Sequence, residues 1–141
     1  MRKIYSIIYR ISAIIIITFI VGACSKTEED ISGPTIHLYS PNENDTINLN
    51  QDDIHINMYI VGKGNFTEMK IQLINCESKK IVYTDPAYDA MNKQYYTCDD
   101  HINQSNLIYK IDKLTQLELY VHAKNDSPAF NTVSRIFYVK P

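Results

Sequence analysis

One stretch limits the fold of this chain more than any other: Asp53 to Val61. Ile54, Ile56, Met58 and Ile60 share one parity, and His55, Asn57 and Tyr59 share the other. An α-helix would throw those four apolar residues onto opposite faces of its axis. A strand collects them on one face and leaves the polar set on the other. One buried face and one wet face is the habit of an antiparallel sheet.

The same period recurs along the chain. Between Phe66 and Asn75, Met69, Ile71 and Leu73 alternate with Lys70, Gln72 and Ile74. Leu117, Leu119, Val121 and Ala123 alternate with Glu118, Tyr120 and His122, and Phe137 and Val139 point inward from a last strand over 133–139. Shorter pieces carry Ile36 and Leu38, Ile47 and Leu49, Ile81–Thr84, Tyr95–Cys98, and the alternating Leu107, Tyr109 and Ile111. Turns are expected at Pro41–Asp45, Gly62–Asn65, Glu77–Lys80 and Asn125–Pro128. Residues 85–94 and the polar run Asp99–Asn106 read as loops. About seven short strands separated by regular turn signals predict an all-β antiparallel β-sandwich over 34–141.

The first 23 residues follow different rules. Arg2, Lys3 and Arg10 make a basic start, and Ile11–Ala23 is an uncharged run of 13 residues ending in small side chains. That run is short of the roughly 20 apolar residues a spanning helix needs, and the layout is that of a signal peptide. The other reading is an uncleaved N-terminal anchor.

Val21-Gly22-Ala23-Cys24 resembles a bacterial lipobox. The resemblance implies cleavage before Cys24 and attachment of diacylglycerol to its thiol, so that acyl chains anchor the protein on a membrane without a spanning helix. Ser25-Lys26-Thr27-Glu28-Glu29-Asp30 then reads as a flexible acidic tether over 24–33. It also resembles the lysine-plus-acidic export signal of surface lipoproteins of the Bacteroidota, which implies an outer-membrane location with exposure at the cell surface.

The sandwich region resembles the Ig-like and fibronectin type III-like domains of exported bacterial lipoproteins. The resemblance runs from Pro34 to Pro141. It rests on Pro34–Pro41 at the opening, on Met69–Leu73 followed by Lys80–Tyr83, and on Leu117–Ala123 with Asn131–Val139. Phe130 stands where such modules usually carry a glycine. These motifs imply a fold and assign no activity. Asp45-Thr46-Ile47 resembles the acceptor of general O-glycosylation in exported Bacteroidota proteins.

Charge narrows the partners. The chain has a formal charge of −2. All 16 acidic residues follow the leader, against 11 of the 14 basic ones, so residues 24–141 carry −5. That balance argues against nucleic acid, whose binding is driven by lysine and arginine on phosphates.

Beyond Cys24 only Cys76 and Cys98 remain. In an oxidising compartment the even pair is a disulfide candidate, the alternative being two buried thiols.

Of the four histidines, His55 and His122 fall on outward faces of strong strands, where a surface pair would be a metal candidate. The plain alternative is ordinary strand residues, and no H-x-H or H-E-x-x-H element supports a metal. Asp99-Asp100-His101 and Asp52-Asp53 read as solvated turn residues. No G-x-S-x-G or S-x-x-K motif appears, so the expectation is a non-enzyme without cofactor.

Tyrosine is enriched, with 11 in the chain and nine after the leader. Tyr39, Tyr59 and Tyr120 face outward. Tyr83, Tyr88, Tyr95 and Tyr96 gather around the middle loops and are the candidate ligand-binding set, since exposed aromatics stack on sugar rings or anchor protein partners. The competing explanation is that tyrosine simply favours strands.

The resulting expectation is a lipid-anchored binding module for a glycan or protein at the cell envelope. The alternative is a structural accessory subunit that pairs through an edge strand.

Overall fold

The computed structural model describes residues 32–141. Eight strands follow in order: β1 (Thr35–Ser40), β2 (Thr46–Asn48), β3 (Ile54–Val61), β4 (Phe66–Asn75), β5 (Ile81–Asp85), β6 (Tyr95–Ile102), β7 (Thr115–Asn125) and β8 (Phe130–Lys140). They form two sheets, one ordered β1-β3-β6 and one ordered β2-β8-β7-β4-β5. All neighbours are antiparallel except β2 and β8. This is the expected all-β sandwich, with eight strands rather than about seven, one parallel pair, and the chain switching from one sheet to the other between β1 and β2.

The core lies where the alternation placed it. Ile54, Ile56, Met58 and Ile60 of β3 face Ile71, Leu73, Leu117, Leu119 and Val121 of the second sheet, and all are fully buried. In β4, Phe66 and Met69 are three residues apart yet both point inward. A bulge between Phe66 and Glu68 absorbs the extra residue and restores the parity.

The switch from β1 to β2 is held by a side chain of β8. Arg135 lies in β8 on the same parity as buried Phe137 and Val139, so it points inward at the end of the core. Its Nη1 donates to the Pro41 carbonyl at 2.8 Å and its Nη2 to the Leu38 carbonyl at 3.0 Å. One guanidinium thus ties β1 to β8. At the domain entry, Gly33 lies against the backbone of Phe130. A Cβ there would sit 2.7 Å from the Phe130 carbonyl carbon and oxygen, which explains the glycine.

Three expectations are corrected. Asp99–Ile102 is strand, not loop, because β6 continues to Ile102. Residues 107–111 are not a strand: Leu107 and Ile111 plug the core from an irregular crossover, and the Ile108 amide donates to the Val82 carbonyl at 2.7 Å. Cys76 and Cys98 are free thiols rather than a disulfide. Only Cys98 lies in a strand. Cys76 opens the turn after β4 in the larger sheet, while Cys98 is buried in β6 of the smaller one with its thiol directed at the Ile56 carbonyl, 3.8 Å away.

Candidate functional site

The tyrosine set is divided by strand parity. Tyr83 pairs with inward Leu73, and Tyr96 pairs with inward Ile60. Both therefore point between the sheets: Tyr96 is buried and Tyr83 half-buried. Tyr88, in a 3-10 turn, is 80% exposed, and Tyr95, outward on β6, is 61% exposed. The four do not form one patch.

The inward pair belongs to a polar seam between edge strands β5 and β6. The Tyr96 hydroxyl donates to Asp85 Oδ2 at 3.3 Å, and Asp85 Oδ1 accepts from the Ala87 amide at 2.8 Å. Burial, with Asp100 and Asp85 nearby, pushes the Tyr83 phenol up to about 12. Burial and the Asp85 charge push Tyr96 higher still. Burial, then Asp100, pushes the Cys98 thiol up to about 12. Asp85, Cys98 and Asp100 converge within 4.8 Å, but a thiol held protonated is a poor ligand and a poor nucleophile.

The outer face of β1-β3-β6 is a more distinctive surface. Strand parity sends Thr35 and His37 outward from β1, with exposed Tyr39 at its bulge, and sends His55, Asn57, Tyr59 and Val61 outward from β3 and Tyr95, Thr97, Asp99 and His101 from β6. Six of these eleven side chains carry rings, and Asp99 is the only carboxylate. His37 stacks on Tyr59, with centroids 6.3 Å apart and planes 18° apart. Tyr39 and Tyr95 stand 60% and 61% exposed toward the two margins of the face.

One corner of this face is a side-chain cluster. His55 and His101 are direct cross-strand partners, and their rings stack at 4.4 Å with planes 6° apart. Asp99 projects beside them, two residues before His101. His55 Nε2 lies 2.6 Å from Asp99 Oδ1, which also accepts from Asn57 Nδ2 at 3.3 Å. The hydrogen bond from His55 holds the Asp99 carboxyl below its ordinary range. A depression next to the cluster is lined by Ser40, Pro41, Asp45, Thr46, Asp52, Asp53 and His55, among others.

The expected His55–His122 pair does not form. His122 lies on β7 in the other sheet, near Glu68 at 4.0 Å and Thr132 Oγ1 at 3.1 Å. The partner of His55 is His101. A strand reading of 99–102 would have put Asp99 and His101 on one face; the pairing with β3 lies in register alone.

Thr46, the O-glycosylation candidate, is exposed on β2. Cys24 and the leader lie outside the described residues. Among the described residues, no helix is long and apolar enough to cross a membrane.

The fold and face together define a small β-sandwich whose three-stranded sheet has a ring-rich outer surface. No protein-family model matches the chain, and neither does any curated protein.

Proposed function

We propose that this protein is a lipid-anchored binding module of the bacterial envelope, using the outer face of β1-β3-β6 to recognise a glycan or a protein. The observation that carries this reading is the composition of that face: rings on three adjacent strands with a single carboxylate among them. Aromatic side chains present large contact area at low entropic cost and stack on apolar sugar faces. A face that served only to meet water would be expected to carry more charge. The sheet holds the rings in fixed positions, which suits binding more than catalysis.

Anchoring rests on the sequence. Val21-Gly22-Ala23-Cys24 and the basic, apolar leader before it support lipidation at Cys24, and the resemblance of Ser25–Asp30 to a surface-export signal supports an outer-membrane location with display at the cell surface. The net negative charge of residues 24–141 speaks against nucleic acid as the ligand.

The alternative, an assembly subunit pairing through an edge strand, has weaker support. β6 is the longest edge strand among the described residues, but Asp100 points inward from it. Inward charges on an edge are a common device against strand addition.

Two experiments test the reading. Protease shaving of intact cells should remove the wild-type protein, and Cys24→Ala should release it from the membrane fraction. Purified protein should then bind members of an array of envelope glycans and surface proteins. A membrane-bound protein that resists shaving would contradict surface display. An array without any signal would contradict the binding role.

A further inference from the structure

We propose that His55, Asp99 and His101 form a binding site for a divalent cation of the zinc class, at the β3–β6 corner of the ring-rich face. The inference does not rest on the recognition reading.

The donors converge through backbone register. His55 and His101 face each other across an antiparallel pair, and Asp99 lies on the same face one step along β6. One ligand atom from each lies within 4.8 Å of the other two. Zinc holds nitrogen and oxygen ligands at about 2.1 Å, which in a tetrahedron spaces the ligands about 3.4 Å apart. His55 Nε2 and Asp99 Oδ1 are already closer than that, at 2.6 Å. Closing the remaining gap requires the stacked His55 and His101 rings to turn toward a common point. All three side chains reach solvent, so a cation has an entry path.

The donor chemistry selects the class of ion. Two imidazole nitrogens and one carboxylate oxygen suit zinc, copper or nickel, whereas calcium and magnesium take oxygen ligands. Asn57 supplies the second layer, since its Nδ2 orients Asp99 through Oδ1. Asp52 and Asp53 line the depression beside His55 and add negative charge near the cation. Three protein ligands leave a coordination position for water or a group on a bound partner.

The test is titration of the full chain with zinc chloride by calorimetry, with cobalt(II) absorption reporting the coordination geometry. One equivalent should bind. His55→Ala, Asp99→Ala and His101→Ala should each abolish that binding, and Asn57→Ala should weaken it by about tenfold. His122→Ala, on the other sheet, should leave it unchanged, and excess magnesium should not displace the zinc. Thermal melts separate loss of a ligand from loss of fold. His101→Gln repeats the test with the side-chain bulk retained. Absence of zinc binding by the wild type would overturn the proposal, and so would binding that survives both His55→Ala and His101→Ala.

Discussion

The two outer faces of the sandwich cover the same core and differ in what they show to solvent. On the larger sheet, Glu68, Lys70, Glu118 and Lys124 are interspersed with four rings, Tyr120, His122, Phe130 and Tyr138, and Lys70 pairs with Glu68. Such exposed pairs contribute little to stability, and a mixed-charge face of this kind serves mainly to stay wet. On the smaller sheet, the positions equivalent in parity carry three histidines, three tyrosines and one carboxylate. Both faces satisfy the alternation that the fold requires. The smaller face has the higher share of rings and a single carboxylate, and that difference directs the functional reading to β1-β3-β6.

The largest effects should fall on what the faces share. Ile56→Ala beneath the ring-rich face and Leu119→Ala beneath the charged one should each lower unfolding free energy by about 2–5 kcal/mol. Both side chains are fully buried in one core. Urea denaturation measures the loss. A large loss for one and none for the other would mean that the two sheets do not share that core.

Next is the tie between the sheets. Arg135→Ala removes both hydrogen bonds to the β1–β2 switch and should cost about 1.5–3 kcal/mol. Arg135→Lys should recover only part of this, since an ammonium lacks the planar fork that reaches two carbonyls. Hydrogen exchange should show β1 opening first in both variants.

The polar seam predicts sensitivity to alkali. Tyr83 and Tyr96 have their phenol pKa raised in the folded state above the ordinary 10.0, Tyr83 to about 12. The unfolded chain releases those protons first. Their contribution is therefore fully present below about pH 10 and is lost as pH rises toward 12 and beyond. Melting temperature measured from about pH 9 upward should fall less steeply in Tyr96→Phe, which keeps the ring and removes one titrating group. An unchanged slope would contradict the buried placement of that hydroxyl.

The smallest effects on stability belong to the face itself. Tyr39→Ala and Tyr95→Ala, at positions 60% and 61% exposed, should change unfolding free energy by only about 0.5 kcal/mol. A much larger loss would make these rings structural and would remove the contrast between the two faces.

The fold was legible because β3 and β7 keep strict alternation, and β4 does so from Met69 to Leu73, with almost every inward residue apolar. It blurred where polar residues point inward. Asp100 breaks the parity of β6, so Asp99–Ile102 looks like a loop in sequence although it is strand. The crossover holding Leu107 and Ile111 mimics alternation because both residues plug the core while Ile108 and Tyr109 stay exposed. Arg135 was invisible for a related reason: no local signal announces an inward arginine whose partners lie 94 and 97 residues away.

The site was less legible than the fold. Sequence marks His37, Tyr39, Tyr59 and His55 as outward, but their assembly with Tyr95, Asp99 and His101 depends on β3 pairing with both β1 and β6. Nearness in sequence misled for the tyrosines. Tyr95 and Tyr96 are adjacent in the chain and point to opposite sides of the sheet, as any two successive strand residues do.

The most direct test of the difference between faces is a paired binding measurement. Tyr39→Ala/Tyr59→Ala/Tyr95→Ala on one face and Tyr120→Ala/Tyr138→Ala on the other would be compared with wild type on the same array of envelope glycans and surface proteins. The account predicts that the first variant loses the wild-type signals while remaining folded, and that the second keeps them. Signals retained by the first variant and lost by the second would contradict it.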